Sequence, residues 1–460
     1  MIRRCLFLLG LFVAVASAAR RPNVLVILTD DQGSRDAGCY GAEDFATPNI
    51  DRLAASGVRF TQGYVTHSYC SPSRAGILSG RSQQSFGHEA NPPYRLNDNK
   101  TGIDVATPLM PTFFKAAGYR SASFGKWHVG TGPVFRPCQR GFDHFWGFLG
   151  GGHDYFTLDP EGQEYRSPIW VDGEASDEPI HYLTDDLTDQ AINFVKEQGD
   201  RPWLVYLAYN APHAPDQAKP ADLERVASIA NPRRRAYAAM MVSVDDNVGR
   251  LMKQLDEQGL REDTLVFYLS DNGGRAGSAD NRPLRGNKGW MYEGGIRVPF
   301  IASWPGKLVG ERTYDRPVSS LDLLPTALAA AGLPVAGSLE GANLLPFLEP
   351  GNRESPHRQL HWRVSGGLGF ALREGKWKLV QDIGMEAPEL YDLEEDPSET
   401  RDLADRHPEL VERLLADHRR WDATLEKPRW PDGHSRNMKL ERERAEPNGY
   451  RHAPESFWLK

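Results

Sequence analysis

NVLVILTDD, residues 23–31, is a short apolar run that ends abruptly in two adjacent carboxylates. The run Asn23 to Leu28 lacks polar alternation, which suits a strand covered on both faces, as in a parallel sheet. Four more runs share this texture: Tyr119 to Phe124, Trp203 to Ala208, Leu265 to Leu269 and Val298 to Trp304. Helical stretches separate them. Thr47-Pro48 predicts a helix closing at Gly57, Thr107-Pro108 one closing at Gly118, and Leu321 to Ala331 one ending at Gly332. The first two combine a hydroxyl cap, a proline in the first turn and a terminal glycine. Strands alternating with helices between residues 22 and 335 predict an α/β fold, a large, mainly parallel sheet sandwiched by helices.

The texture changes near residue 350. GNRESPHRQ reads as a polar linker, and LHWRV, GFALREG, KWKLVQD and PELYDLEEDP as short antiparallel strands joined by turns. A helical stretch from Pro408 to Ala423 follows. The expected organisation is a main domain over 20–350 and a smaller C-terminal α+β antiparallel-sheet domain over 351–460. No internal repeat or low-complexity tract interrupts either.

Residues 1–18 read as a signal peptide: Arg3 and Arg4, an apolar run from Leu6 to Val15, then small residues ending in an A-x-A-like site near Ala18. The run is short for a membrane anchor, the other reading, and Cys5 leaves with it. Loss of the two arginines moves the net charge from -8 to -10. Nucleic acid and acidic membranes therefore have no global electrostatic support as partners, and stable membrane insertion is not expected. Of four cysteines, Cys39, Cys70 and Cys138 remain. In an oxidising compartment an odd count leaves at least one unpaired or altered, and pairing of Cys39 with Cys138 stays open.

Four of these strands are followed by polar residues: Thr29-Asp30-Asp31, Ser270-Asp271-Asn272-Gly273, Gly125-Lys126-Trp127-His128 and Asn210-Ala211-Pro212-His213. Open α/β sheets bind ligands beyond the carboxyl ends of their strands. Asp30, Asp31, Asp271 and Asn272 are hard oxygen donors, and adjacent carboxylates repel unless a cation lies between them. An oxygen-rich set favours calcium or magnesium over zinc. A single strand-end aspartate is more often a turn or helix cap, but two such clusters favour a metal.

YCSPSR, residues 69–74, places Cys70 where a helix begins, with Arg74 one turn on. Free N–H groups and the helix dipole make that an electropositive, reactive position. A disulfide half, a thiol nucleophile and the precursor of something else are all open readings of Cys70.

Cys70, Ser71, Pro72, Ser73 and Arg74 with Ser79-Gly80-Arg81 resemble the signature of the type I sulfatases, in the alkaline phosphatase superfamily. Gly118-Tyr119 through Gly125-Lys126-Trp127-His128 is similar to a second signature of that family, with Phe124 where a smaller residue is usual. The resemblance runs from about Arg21 to about Leu403, through Pro212-His213, Lys288 in RGNKGWMYEGGIRVP, and the tail ELYDLEEDPSETRDLA.

The resemblance implies an alkaline-phosphatase-like fold and hydrolysis of a sulfate monoester. It implies that a formylglycine-generating maturation enzyme converts Cys70 to formylglycine, whose hydrated aldehyde attacks sulfur through one hydroxyl and releases sulfate by collapse through the other. It implies one calcium ion per chain, bound by Asp30, Asp31, Asp271, Asn272 and the modified Cys70. Arg74 and His128 match residues that hold and deprotonate the diol. Lys126, His213 and Lys288 match those that grip the sulfate oxygens and assist the leaving group. RPCQRGFDHFWGFLGGGHDYF, residues 136–156, looks closer to sulfatases of sulfated carbohydrates than to those of lipids or steroids, and LGGGHDYF with His153 is expected to border the substrate pocket. Two rival readings are a phosphate or phosphonate monoester hydrolase of the same fold and a non-catalytic saccharide-binding relative with an unconverted Cys70. Asn99-Lys100-Thr101 fits a glycosylation acceptor, and Arg233-Arg234-Arg235 is expected to be the solvated start of a helix.

Overall fold

The computed structural model describes residues 20–433, so the leader 1–18 and the end of the 351–460 region lie outside the described residues. Eleven strands form one sheet: β1 (Asn23–Thr29), β2 (Val58–Tyr64), β3 (Arg120–Lys126), β4 (His144–Phe148), β5 (Ile169–Val171), β6 (Glu174–Ser176), β7 (Trp203–Ala208), β8 (Thr264–Ser270), β9 (Arg297–Ser303), β10 (Arg312–Tyr314) and β11 (Val318–Ser319). Their order is β10-β2-β9-β8-β1-β7-β3-β4-β5-β6, with β11 beside β2. The five central strands β8, β1, β7, β3 and β4 are parallel, whereas β9 is antiparallel to both its neighbours.

Alternate residues of β1 enter different cores, which is why its sequence is apolar throughout. Leu25 and Ile27 face one cluster with Ile50 and Leu53 of α1 (Pro48–Ala55), Leu183 and Leu187 of α4 (Leu183–Glu197), and Met240 and Val244 of α6 (Pro232–Glu257). Leu223 of the short α5 (Pro220–Arg225) packs against that cluster. Val24, Val26 and Leu28 face a second cluster with Ile77 and Leu78 of α2 (Cys70–Ser79), Phe114 of α3 (Met110–Lys115), and Leu323 and Leu324 of α8 (Leu323–Ala330).

A second, antiparallel sheet comprises β12 (Gln359–Val364), β13 (Gly369–Glu374), β14 (Trp377–Gln381) and β15 (Glu389–Asp392). Phe370, Leu372 and Leu379 on one face pack with Leu414 of α9 (Pro408–Asp422). Trp362, Ala371 and Val380 on the other pack with Tyr64, Met291 and Ile296, the last in α7 (Glu293–Ile296). A buried ion cluster reinforces that contact: Lys378 Nζ lies 2.9 Å from Glu293 Oε1 and 2.8 Å from Glu399 Oε1. Among the described residues no helix is long and apolar enough to cross a membrane.

Several local expectations need correction. The helix expected from Thr107-Pro108 starts at Met110, and Thr107 Oγ1 donates to Asp104 Oδ2 at 3.1 Å in the loop before it. Thr47 is the N-cap residue of α1, but its hydroxyl bonds no helical N–H; it accepts from Gly38 N at 2.7 Å. Gly118 and Gly332 have left-handed backbone at φ 82° and 65°, but Gly57 does not; a Cβ there would meet Ala302 O at 2.3 Å. Arg234 is not solvated. Its guanidinium lies 2.7 Å from buried Asp36 and 2.8 Å from Asp44, tying α6 to the loop after β1. Cys39, Cys70 and Cys138 are all free thiols, so the open pairing is not realised.

Three buried histidines make stability sensitive to acid. Burial pushes His67 down to about 4, His88 to about 3 and His418 to about 4. Below pH ~6.5 the unfolded chain accepts protons that these folded-state imidazoles refuse. Stability should therefore fall steadily as pH drops from ~6.5 towards ~4. Melting temperatures at stepped pH check this, and a flat profile across that window contradicts it.

Candidate active site

β8, β1, β7 and β3 are neighbours, and their parallel registers align Ser270 with Thr29, Leu28 with Ala208, and Ala208 with Gly125. Asp271-Asn272, Asp30-Asp31, Asn210 to His213 and Lys126 to His128 therefore leave the sheet side by side. Gly125, at φ 97°, allows the tight exit of β3, since a Cβ would stand 2.0 Å from Ala208 O. Asp31 and His128 also have left-handed backbone, at φ 66° and 59°. Such strain in non-glycine residues persists only where surrounding contacts impose it, often at functional sites.

α2 delivers Cys70 to the same edge. Tyr69 is extended, with φ -125° and ψ 154°, Cys70 is the first helical residue, and Gly80 ends the helix at φ 64°. All ten residues of α2 are buried.

The fully buried Arg74 guanidinium binds Asp271 Oδ2 through Nε and Nη2, both at 2.8 Å, lies 3.4 Å from Asp30 Oδ2, and donates to Lys126 O at 3.0 Å. Lys126 Nζ donates to Asp30 Oδ2 at 2.5 Å, and Lys288 Nζ lies 2.7 Å from Asp31 Oδ1. Asn272 Nδ2 donates to Asp31 Oδ1 at 2.7 Å, and Asp31 N donates to Asp271 Oδ1 at 3.3 Å. His213 Nε2 is 3.7 Å from Asp31 Oδ2, while its Nδ1 donates to Ala214 O at 2.7 Å. A carbonyl only accepts, so Nδ1 carries the proton and Nε2 the lone pair of the neutral ring.

One ligand atom from each of Asp30, Asp31, Cys70 and His213 lies within 4.8 Å of the others. Asp30 Oδ1, Asp31 Oδ2 and Asn272 Oδ1 are buried without a hydrogen-bond donor. Buried oxygens ordinarily find partners, and three unsatisfied hard donors in one place fit a divalent cation such as calcium. Asp271 borders this group with both oxygens engaged, one by Arg74 and one by Asp31 N.

The electrostatics follow from burial amid fixed charge. Burial opposes the Asp31 carboxylate, but Lys288 and then His213 outweigh it and hold the group well below the usual range. Burial also keeps His128 and His213 neutral, helped at His128 by Lys126, Arg74 and Lys288, and at His213 by Lys288. It pushes the Cys70 thiol up to about 11 despite Lys126 and Lys288. The activated thiolate expected from a helix N-terminus is therefore not what this environment provides, because desolvation outweighs the dipole.

Every site residue anticipated from sequence lies at or beside this edge. His153 is a packed residue instead, its ring nitrogens 2.6 Å from Asp154 O and 2.8 Å from Ser167 O. Glu164 and Tyr165, absent from the sequence reading, stand next to His128 and His213. They lie in a single 3-10 turn, Glu164–Arg166, away from the carboxyl end of any strand. A cavity of about 1020 Å3 lies elsewhere, against Arg282, Glu389 and Tyr391, and contains none of the anticipated site residues.

The sulfatase family model matches residues 22–333. The chain belongs to the sulfatase family. The model "N-sulphoglucosamine sulphohydrolase, C-terminal" also matches residues 286–418 of this sulfatase. Arylsulfatase A of Homo sapiens is 32% identical over 474 residues, covering 88% of this chain and 89% of its own. N-acetylgalactosamine-6-sulfatase of Homo sapiens is 34% identical over 361 residues, covering 74% and 68%. The crystal structure of Ps i-CgsB in complex with k-i-k-neocarrahexaose superimposes with a TM-score of 0.85 at 33% identity, over 93% of this chain and 98% of that one. The fold is alkaline-phosphatase-like, and this sulfatase is a sulfuric ester hydrolase.

Proposed function

We propose that this sulfatase is an exported, calcium-dependent enzyme that removes sulfate from a sulfated carbohydrate. The observation that carries the catalytic reading is the convergence of Asp30, Asp31, Asn272 and Cys70 at one sheet edge, with three buried oxygens lacking donors. The carbohydrate assignment is supported by the sugar sulfate named for one relative and the saccharide bound to Ps i-CgsB. Residues 1–18 direct export, and a formylglycine-generating enzyme is the maturation partner.

Asp30, Asp31, Asp271 and Asn272, with position 70 beside them, would hold the calcium. When present, formylglycine supplies a hydrated-aldehyde nucleophile and calcium supplies a Lewis acid that neutralises sulfate charge. Lys126 and Lys288 bind the remaining sulfate oxygens, since their ammonium groups already face this edge. His213 assists the leaving alcohol once its Nε2 takes up a proton, which gives the ring an N–H to donate to the ester oxygen while Nδ1 stays bound to Ala214 O. The neutral imidazole of His128 would serve as a proton acceptor at this edge. Arg74 fixes Asp271 and Asp30 and holds the Lys126 carbonyl.

Treatment with a chelator should reduce sulfate-ester turnover at least about tenfold and lower the melting temperature, with calcium restoring both. Activity and stability unchanged after exhaustive chelation would sink the metal assignment.

A further inference from the structure

Residues 150–152 are three consecutive glycines, and none has left-handed backbone. Space is what they provide. A Cβ on Gly150 would stand 3.1 Å from the Tyr94 ring and 3.4 Å from Glu164 Cγ. On Gly151 it would stand 3.0 Å from His128 Nε2 and 3.4 Å from Glu164 Oε1, and on Gly152 only 2.6 Å from Tyr165 Cε1. The glycines form a bare floor on which Tyr94, His128, Glu164 and Tyr165 rest, and His128 ties that floor to the site.

Two of these side chains face outward from the rim. Tyr165 is 37% exposed, and its ring centroid lies 6.1 Å from that of His213. Glu164 is exposed with left-handed backbone at φ 45°, and among the described residues its carboxylate makes no hydrogen bond or ion pair. Its carboxylate is left open to solvent, beside the proposed sulfate-binding centre. It lies within electrostatic reach of Lys126, while Tyr165 lies within reach of Lys288 and Cys70.

We infer that Tyr165 and Glu164 form the subsite for the sugar ring that carries the sulfate, and that they select a ring with a free hydroxyl neighbouring the ester. The inference rests on the proposal that Lys126 and Lys288 hold the sulfate. An aromatic ring offers a flat apolar surface to the C–H face of a sugar. A carboxylate accepts a hydrogen bond from a neighbouring hydroxyl, and it repels a second sulfate at that position, so one group both attracts and excludes.

The probes are N-acetylgalactosamine 6-sulfate and its 4,6-disulfate, tested on enzyme co-expressed with a formylglycine-generating enzyme. The wild-type enzyme should prefer the monosulfate in kcat/KM by about 10- to 100-fold. Glu164→Gln keeps an acceptor and loses the charge, and should bring the ratio to within about threefold. Tyr165→Ala should raise KM for the monosulfate about tenfold with a smaller change in kcat. Both substrates are measured on the same preparation, so partial misfolding cancels from the ratio. Turnover of nitrophenyl sulfate tests the hydrolytic reading separately. If it is hydrolysed but Glu164→Gln leaves the ratio unmoved, the subsite is overturned alone; if wild-type enzyme hydrolyses neither class, the hydrolytic reading falls and takes the subsite with it.

Discussion

Cys70→Ala should lower turnover of a sulfate ester at least about a thousandfold while leaving the protein folded. Cys70 is the first residue of a fully buried helix, and among the described residues its side chain makes no hydrogen bond that holds that helix in place. Deleting one buried sulfur costs about 1 kcal/mol, comparable to removing a small apolar group. Its chemical loss is far larger. A thiol pushed up to about 11 by burial is almost wholly protonated at neutral pH, so its value lies in what it is converted to. Kinetics beside a circular-dichroism melt check both halves of this result. Full activity in the variant would remove Cys70 from the mechanism.

Arg74→Met should be damaging in the opposite proportion, costing about 3–5 kcal/mol of stability as well as activity. The guanidinium is the buried counter-charge of Asp271, with two contacts at 2.8 Å, and also approaches Asp30 at 3.4 Å. Methionine fills much of the volume and supplies no charge, leaving like carboxylates facing each other in a low-dielectric interior. Arg74→Lys should recover little, because one ammonium cannot reproduce the fork that spans Asp271 and the Lys126 carbonyl. Urea denaturation midpoints measure the loss. A variant as stable as wild type would contradict the view that Arg74 organises the carboxylates.

The central strands were legible in the sequence because each is a short, two-sided apolar run, and β7 spans Trp203–Ala208 as anticipated. Their polar ends could be gathered at one edge because parallel strands share a carboxyl-end direction. The antiparallel direction of β9 was not legible, since an apolar run has no polarity of its own. Thr107-Pro108 misled because its threonine bonds Asp104 instead of opening a helix. Lys288 was identified only through resemblance, for it sits in a loop after β8, where periodicity carries no information. Glu164 and Tyr165 escaped for a related reason: their positions depend on packing over Gly151 and Gly152, a contact made across sequence rather than along it.

The most direct test of the account is the mass of the peptide containing Cys70. The protein would be co-expressed with a formylglycine-generating enzyme, treated with a thiol-alkylating reagent and digested, and its sulfate-ester turnover measured on the same batch. The expected result is an active protein whose Cys70 peptide has the mass of the aldehyde, resists alkylation and is captured by a hydrazide. An active protein whose Cys70 is fully alkylated would contradict it.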